Sequence, residues 1–335
     1  MSDLNPTDLR DSALDFTKGA LVLLMVLYHW MNYFVGVEGP AYSYLRFIPP
    51  SFIFISGFLL VKVYPPKYGL KQSRLYRRLL VRGLKILTLF TLLNVTANIL
   101  FSTNYRGALP GIETFVSNAA SIYLSGNGRM IFGILLPISY LLIISTLIFL
   151  SMRVTRHALT LVCAVSQICV VLMEYHNIPN PNMSFIAIGI LGMAVGELSS
   201  RQISSWAARS WMLVGLYGGH LIVIHMFGET YALQVMGMCL GLLLLYSLGT
   251  RASQLYPLGS TLVMLGKYSL FAYVAQIALL QLLQAGLGAA HIHHLLRWVL
   301  SFISIFTLTI FSVWGTHLIC SKSATGYRVY RMVFT

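Results

Sequence analysis

Residues 14–35 read LDFTKGALVLLMVLYHWMNYFV, an apolar run that carries Lys18 near its start and His29 well inside it. A run of this length and composition predicts a helix that crosses a lipid bilayer. A histidine within such a helix is costly, and it commonly marks a pathway, a partner or a catalytic site. Because Lys18 and His29 are separated by close to three helical turns, we expect them on one face, about 16 Å apart along the axis.

The rest of the chain continues this apolar character, because only 10% of its 335 residues are charged and 57% are hydrophobic. Soluble domains carry about a quarter charged residues, so the composition excludes a soluble fold. The pattern predicts an all-α, polytopic integral membrane helix bundle with about ten transmembrane helices. The predicted spans are about 17–36, 47–64, 83–102, 130–151, 157–174, 183–199, 208–226, 231–249, 262–282 and 297–319.

The formal charge of +14 is distributed unevenly between the two sides of these spans. With the N-terminus in the cytoplasm, nearly all Lys and Arg are cytoplasmic, and only Arg46, Arg106, Arg129 and Arg297 lie outside. This bias obeys the positive-inside rule and predicts that both termini are cytoplasmic. The charge therefore indicates contact with anionic lipid, and it gives no reason to expect a nucleic-acid partner.

We expect a single membrane domain over residues 1–335, because neither a linker nor a low-complexity tract divides the sequence. Two long connections stand out, a basic cytoplasmic loop over 63–82 and an outer loop over 102–128. Long polar loops in a compact bundle tend to be functional. Small residues in GILGMAVG (189–196) indicate close helix packing, either within the chain or between copies in a homo-oligomer.

His29 has two interpretations. It is either a buried imidazole that joins two helices by a hydrogen bond, or a general base that accepts a proton from a hydroxyl or amine. On a regular helix, Asn32 and Tyr33 follow His29 on the same face, while Asp15 and Lys18 precede it. Such a polar stripe favours the second interpretation, because it indicates a lined cavity within the membrane.

A cluster of basic residues precedes the third predicted span. One interpretation is a topogenic lipid anchor, and the other is a binding site for a phosphorylated cytosolic ligand. The spacing of Arg74, Arg77 and Arg78 lets them face one way on a helix, and guanidinium groups suit phosphate oxygens. The members of the cluster are Lys67, Lys71, Arg74, Arg77, Arg78, Arg82 and Lys85.

Metal and paired-acid chemistry are not expected. No Asp follows Asp15, and the Glu residues are scattered, so no pair resembles the two carboxylates of a glycosidase. The run HIHH holds His291, His293 and His294 without a nearby carboxylate or cysteine, which favours an interfacial loop over a metal site. The cysteines show neither metal nor redox spacing.

Four segments in order resemble the transmembrane acyltransferase superfamily. This group includes the acyltransferase-3 proteins, the glucan succinyl-transfer proteins and the heparan-alpha-glucosaminide N-acetyltransferase-like proteins. Its opening helix carries a basic residue, then ten residues, then a functional histidine, as Lys18 and His29 do here. The other similar segments are FIFISGFLL (52–60), the Arg-x-x-Arg of Arg74 and Arg77, and LGKYSLFAYVAQ (265–276).

One departure from the family pattern concerns Gln276. Many members carry His at this position, and glutamine does not titrate, so a proton relay through this residue is not expected here. We likewise do not expect the appended extracellular hydrolase-like domain that some members carry.

The resemblance implies an enzyme that moves an acyl group, acetyl above all, from cytosolic acyl-CoA to a hydroxyl or amino group of a glycan. The glycan, free or lipid-linked, would be bound at the outer face of a bacterial inner membrane. His29 would take the proton of the acceptor, while Asn32, Tyr28 or Ser56 would polarise the carbonyl oxygen. Direct transfer and an acyl-histidine intermediate both stay open.

The expected binding residues fall into two groups. Donor contacts are expected from Lys18, Ser56, Lys71, Arg74, Arg77, Arg78 and Arg82. Acceptor contacts are expected from Tyr33, Tyr105, Glu113, Tyr123 and Arg129.

Two other functions stay open at this point. A glycan flippase or polymerase would also have many spans and a long outer loop, but it should carry a basic outer face, and few basic residues lie outside. A small-solute transporter should carry broken helices paired across two halves of the chain, and the sequence shows no clear internal repeat.

Overall fold

The computed structural model describes residues 11–36, 44–70, 72–101, 116–126, 130–155, 157–252, 258–289 and 293–334, and these residues form helices and connections without any β-strand. A π-helical turn, Met31–Val35, follows the first helix directly. The α-helices are α1 (Ser12–Trp30), α2 (Ile48–Tyr68), α3 (Ser73–Phe101), α4 (Ala119–Ser125), α5 (Leu135–Ser151), α6 (Ala158–Tyr175), α7 (Pro181–Gly196), α8 (Ser200–Ala207), α9 (Ser210–Phe227), α10 (Tyr231–Ala252), α11 (Leu258–Lys267), α12 (Ser269–Ala289), α13 (His294–Lys322) and α14 (Ala324–Phe334).

Each predicted span corresponds to an apolar helix. Within the described residues, eight helices are long and apolar enough to cross a membrane, namely α1 with its π-turn, α2, α3, α6, α9, α10, α12 and α13. The pair α7 and α8 is bent by 106° and adds a ninth if it counts as one span, while α5 is shorter. The predicted all-helical membrane bundle is therefore confirmed, and the orientation of its termini stays a prediction.

The basic loop predicted over 63–82 is mostly helical. Helix α2 extends to Tyr68 and α3 begins at Ser73, so the connection between them shrinks to about four residues, which include Gly69 with φ of +71°. The prolines Pro65 and Pro66 lie in the last turn of α2, where few backbone bonds are lost. Arg, Leu and Lys are good helix formers and extend α3 towards its N-terminus.

Glycines allow helices α2 and α7 to cross at very close range. A Cβ atom at Gly57 would lie 1.9 Å from the carbonyl oxygen of Gly189, and one at Gly192 would lie 2.1 Å from that of Phe54. The small residues of GILGMAVG therefore pack within the chain, which answers the alternative that the sequence left open for this segment. This crossing fixes α2, one wall of the cavity described below.

A second close crossing joins α1 to α11. A Cβ atom at Gly19 would lie 1.9 Å from the carbonyl oxygen of Leu262, and one at Gly266 would lie 1.8 Å from that of Asp15. Because Lys18 adjoins Gly19 and Lys267 adjoins Gly266, this crossing holds two lysines at the same end of the bundle. The span predicted over 262–282 is thus two helices, α11 and α12, with Tyr268 between them.

Candidate functional site

A cavity of about 220 Å³ opens between α1, α2, α3, α5, α11, α12 and α14. Most of its walls are apolar, as expected within a membrane bundle. Its cationic lining residues are Lys18, Arg82 and Lys267, and its hydroxyl-bearing ones are Ser56, Tyr64, Ser269, Tyr273 and Tyr330. An apolar cavity with a few convergent polar groups is the usual form of a small-molecule site.

Two of the three cations of the cavity, Lys18 and Arg82, are held by their neighbours. Lys18 Nζ lies 2.6 Å from Asp15 Oδ1, and Asp15 is buried. The Arg82 guanidinium donates through an Nη atom to the Tyr64 hydroxyl at 2.5 Å. Its Nε atom is buried and has no hydrogen-bond partner among the described residues. A guanidinium with an unused donor beside a cavity is suited to an anionic group.

His29 lies beside the same cavity, with Tyr273 as the link. The Tyr273 side chain lines the cavity, and its ring centroid is 6.2 Å from that of His29. The Tyr28 ring stands edge-on to the imidazole at 5.4 Å. Within the described part of the chain, His29 Nε2 is buried and forms no hydrogen bond. Such an orphaned atom costs about 1–3 kcal/mol, which makes a merely structural role for this histidine hard to justify.

The helix widens directly after His29. In the π-turn, the Gly36 N–H donates to the Met31 carbonyl at 2.8 Å, five residues back. The Trp298 indole of α13 donates to the Phe34 carbonyl at 2.9 Å and satisfies a backbone oxygen of the same turn. Single π-turns are rare and occur frequently at functional sites.

The π-turn contains Asn32 and Tyr33, which the sequence predicted on the same face as His29. Tyr33 is buried in an apolar cluster with Val26 and Leu280, although the sequence predicted it as an acceptor contact. Asn32 is only partly buried. The prediction from sequence assumed regular α-helical spacing for both residues, whereas Met31–Val35 forms a π-helical turn with hydrogen bonds over five residues.

The predicted donor residues separate into two sets. Lys18, Ser56 and Arg82 line the cavity, and the Ser56 hydroxyl already donates to the Phe52 carbonyl at 2.8 Å. Arg74, Arg77 and Arg78 are exposed and do not line it. Lys71 lies outside the described residues.

The predicted acceptor residues are mostly outside the described part of the chain, namely Tyr105, Glu113 and Arg129. The structure describes Tyr123, and its hydroxyl lies 2.7 Å from Thr91 Oγ1. Its ring stands edge-on to the buried Phe90 at 5.7 Å. Tyr123 therefore ties α4 to α3.

Gln276 is fully buried on α12, about one turn beyond Tyr273. Neither its amide nitrogen nor its amide oxygen has a hydrogen-bond partner among the described residues. Gln276 is therefore a second buried side chain, after His29, with polar atoms that lack a partner in the described residues, and it lies one turn from Tyr273.

Sequence reasoning missed several residues of the cavity. Lys267, Ser269 and Tyr273 all belong to LGKYSLFAYVAQ, so the motif carried a signal, although no role was assigned to these residues. Tyr64 and Tyr330 stand in segments that carried no such signal. Among the described residues, no three His, Cys, Asp or Glu side chains come together in a way that would hold a metal, and His291 lies outside them.

Membrane-length helices that enclose a cation-lined cavity beside a buried histidine have the parts of a membrane-embedded transferase. The family model described as an acyltransferase domain, acyltransferase-3, matches residues 11–317. The chain belongs to this family, which places it among the membrane acyltransferases and confirms the resemblance. Neither the curated proteins nor the solved structures include a match to the chain.

Proposed function

We propose that this protein transfers an acyl group, acetyl in the simplest case, from cytosolic acyl-CoA to a hydroxyl or amino group of a glycan bound at the opposite membrane face. One observation carries the proposal: Tyr273 joins a cation-lined cavity to a buried histidine whose Nε2 atom has no hydrogen-bond partner in the described residues. Family membership supports acyl transfer, and the donor, the acceptor and the sidedness are inferences from chemistry.

The residues present fit an acyl-CoA donor. At about 220 Å³, the cavity is smaller than the roughly 300–1,000 Å³ of pockets that enclose drug-sized ligands. It therefore suits the thin pantetheine arm and excludes the nucleotide. Lys18, Arg82 and Lys267 offer positive charge to phosphate oxygens near the cavity.

The exposed arginines Arg74, Arg77 and Arg78 lie on the same helix as Arg82, one to two turns before it. In this arrangement they would contact the nucleotide outside the cavity. The cluster of basic residues predicted to bind phosphate then has an inner part that lines the cavity and an outer part that is open to solvent.

His29 serves as the general base in this proposal. The bound acyl-CoA supplies a thioester carbonyl carbon and a thiolate leaving group. His29 Nε2 removes the proton from the acceptor hydroxyl or amine as its oxygen or nitrogen bonds to that carbon. The imidazolium then returns the proton to the departing sulfur, so that CoA leaves as the thiol and His29 is neutral again.

Polar groups near His29 would stabilise the negative charge on the carbonyl oxygen. Tyr273 and Tyr28 both have rings within about 6 Å of the imidazole, and Asn32 follows within one turn. Fixed donors of this kind contribute most when water is excluded. Direct transfer and an acyl-histidine intermediate each need one free imidazole nitrogen, and Nε2 has no partner among the described residues, so both routes stay open.

The sidedness of the reaction follows from charge. Lys18, Arg82 and Lys267 lie at the end of the bundle that the positive-inside rule assigns to the cytoplasm, where acyl-CoA is made. An acceptor reaches His29 from the other side. The protein would then sit in a bacterial inner membrane, with lipid and a glycan as its partners and no metal.

Proteoliposomes of one orientation test this proposal. [¹⁴C]Acetyl-CoA supplied on the side of the termini should be bound saturably, and label should appear in a saccharide supplied on the other side. Binding should weaken with added salt, because screening reduces the attraction of phosphate to the cations. If neither acetyl-CoA nor longer acyl-CoAs bind, the donor assignment fails.

A further inference from the structure

Helix α14 lies beyond the part of the chain that matches the family, which ends at residue 317. Within the described residues of α14, only Gly326, Tyr330 and Phe334 are partly shielded from solvent, and the others are exposed. These three residues are spaced by four, so they form one face of the helix. A segment outside the shared domain thus presents a single narrow face to the bundle.

The connection between α13 and α14 turns the chain back onto the bundle. Ser323 follows α13, and its hydroxyl accepts a hydrogen bond from the Gly326 N–H at 3.1 Å. A Cβ atom at Gly326 would lie 2.6 Å from Ile319 Cγ2, so the glycine permits close contact with the end of α13. The hairpin therefore directs α14 towards the cavity.

Two aromatic side chains attach α14 to the cavity wall. The Tyr330 ring stands edge-on to Tyr268 at 5.1 Å, and the Phe334 ring stands edge-on to Phe271 at 5.5 Å. Both Tyr330 and Phe334 line the cavity that also contains Lys18. The outer face of α14 is open, with Met332 71% exposed. The surface that attaches α14 to the bundle is therefore small.

We propose that Tyr330 and Phe334 are binding residues for the acyl donor, and that α14 closes the cavity over the pantetheine arm. This inference rests on the proposed function and names the part of the donor site that the family domain does not supply. The Tyr330 hydroxyl donates to a phosphate or amide oxygen of the donor, and the Phe334 ring covers the apolar part of its arm.

The chemistry of Tyr330 fits this role. Burial raises the pKa of the Tyr330 hydroxyl, with Tyr268 and Cys320 acting in the same direction and the charge of Arg82 opposing them. The hydroxyl therefore stays protonated at neutral pH and remains a hydrogen-bond donor. Its electrostatic interaction with Arg82 also places it near the cation that would bind phosphate.

A pair of double variants tests the inference. Y330A/F334A removes the two side chains that line the cavity, and V329A/M332A removes two exposed side chains of the same helix as a matched control. The Kd and KM for acetyl-CoA should rise at least about tenfold in the first variant and stay at the parental values in the second. The KM for the acceptor and kcat should change little, a pattern that loss of fold would not produce.

The outcomes separate this inference from the proposed function. If the parental protein binds acetyl-CoA and Y330A/F334A binds it equally well, the role of α14 is overturned while the proposed function stands. If the parental protein binds no acyl-CoA, the proposed function itself fails. Should Y330A/F334A not fold, Y330F keeps the ring and removes only the hydroxyl. A few-fold rise in the KM for acetyl-CoA then supports the inference, and an unchanged KM contradicts the hydrogen bond.

Discussion

The two ends of the polar line along α1 differ in how their polar groups are satisfied. At the Lys18 end, the lysine pairs with Asp15, and Arg82 donates to Tyr64. At the His29 end, the groups are neutral and deeply placed, and Nε2 of His29 has no partner among the described residues. The two amide atoms of Gln276 have no partner there either. The Lys18 end holds cations with partners and one spare donor at Arg82 Nε, whereas the His29 end holds imidazole and amide atoms without partners in the described residues.

This difference indicates a division of labour. A buried polar atom without a partner costs about 1–3 kcal/mol, so a site that keeps several of them gains nothing in stability. Charged groups that already have partners can bind an anion without the energetic cost of an unpaired buried charge. The Lys18 end therefore suits binding, and the His29 end suits chemistry. The following predictions test that division, from the largest effect to the smallest.

Replacing His29 by alanine should have the largest effect. Loss of a general base lowers the rate by about 10²–10⁴-fold, so kcat should fall in that range. The Kd for acetyl-CoA should stay within about twofold of the parental value, because the cations of the other end are intact. Single-turnover transfer and equilibrium binding on the same preparation measure the two quantities.

His225→Ala is the matched control for this variant. His225 lies near the end of α9, where its Nδ1 atom is 3.5 Å from the Tyr44 hydroxyl, and it does not line the cavity. Its loss should leave kcat unchanged. Parental transfer by a correctly inserted H29A protein would rule out His29 as the base.

Arg82→Ala should have the reverse signature. A hydrogen bond to a charged group contributes about 1.5–3 kcal/mol, so the Kd for acetyl-CoA should rise about 10- to 100-fold while kcat changes little. Arg77→Ala, on the same helix but outside the cavity, should raise the Kd by less than about threefold. Equal effects of the two variants would mean that donor binding depends on general surface charge.

Gly19→Ala should disturb the crossing that sets the Lys18 end. Its Cβ would lie 1.9 Å from the Leu262 carbonyl oxygen, so α11 must move away from α1 and carry Lys267 with it. Overpacking of this kind costs about 1–3 kcal/mol, so the protein should unfold at a lower temperature in detergent. Gly215→Ala, where a Cβ meets nothing within 4 Å, should leave the unfolding temperature unchanged or raise it, because alanine is the better helix former. An unchanged unfolding temperature for G19A would show that α1 and α11 can separate at little cost in stability.

Gln276→Leu should have the smallest effect on stability. Because neither amide atom has a partner in the described residues, an apolar side chain of similar size should leave the unfolding temperature unchanged or raise it. We expect kcat to fall about two- to tenfold if the amide contacts the reacting groups. A clear loss of stability would show that the amide is already bonded in the folded protein.

The helices and part of the site were predictable from sequence. Hydropathy located the eight or nine membrane-length helices of the described residues and the shorter helix α5, because the bilayer sets their length and composition. The eleven-residue spacing singled out Lys18 and His29; in the structure Lys18 lines the cavity, and Tyr273 links His29 to it. Hydropathy does not report which helices are neighbours, so the closeness of Lys18 to Lys267 required the crossing at Gly19.

Three local features escaped the sequence for physical reasons. The π-turn after Trp30 has no composition of its own, so the position of Tyr33 was predicted from a regular helix. The break at Tyr268 lies inside one apolar run and carries neither Pro nor Gly at the break itself. The sequence of α14 indicates an amphipathic helix, and it does not show that Tyr330 lines the cavity, because that depends on tertiary contacts.

A structure with a non-transferable acetyl-CoA analogue tests the central claim most directly. The account predicts phosphates at Arg82 and Lys18, the arm within the cavity, and the acyl carbonyl near His29. An acceptor atom placed between that carbonyl and Nε2 should then come within about 3.5 Å of the carbon. The account is contradicted if the analogue binds elsewhere, for example in the separate apolar cavity of about 150 Å³ that Phe54 and Trp206 line, with His29 untouched.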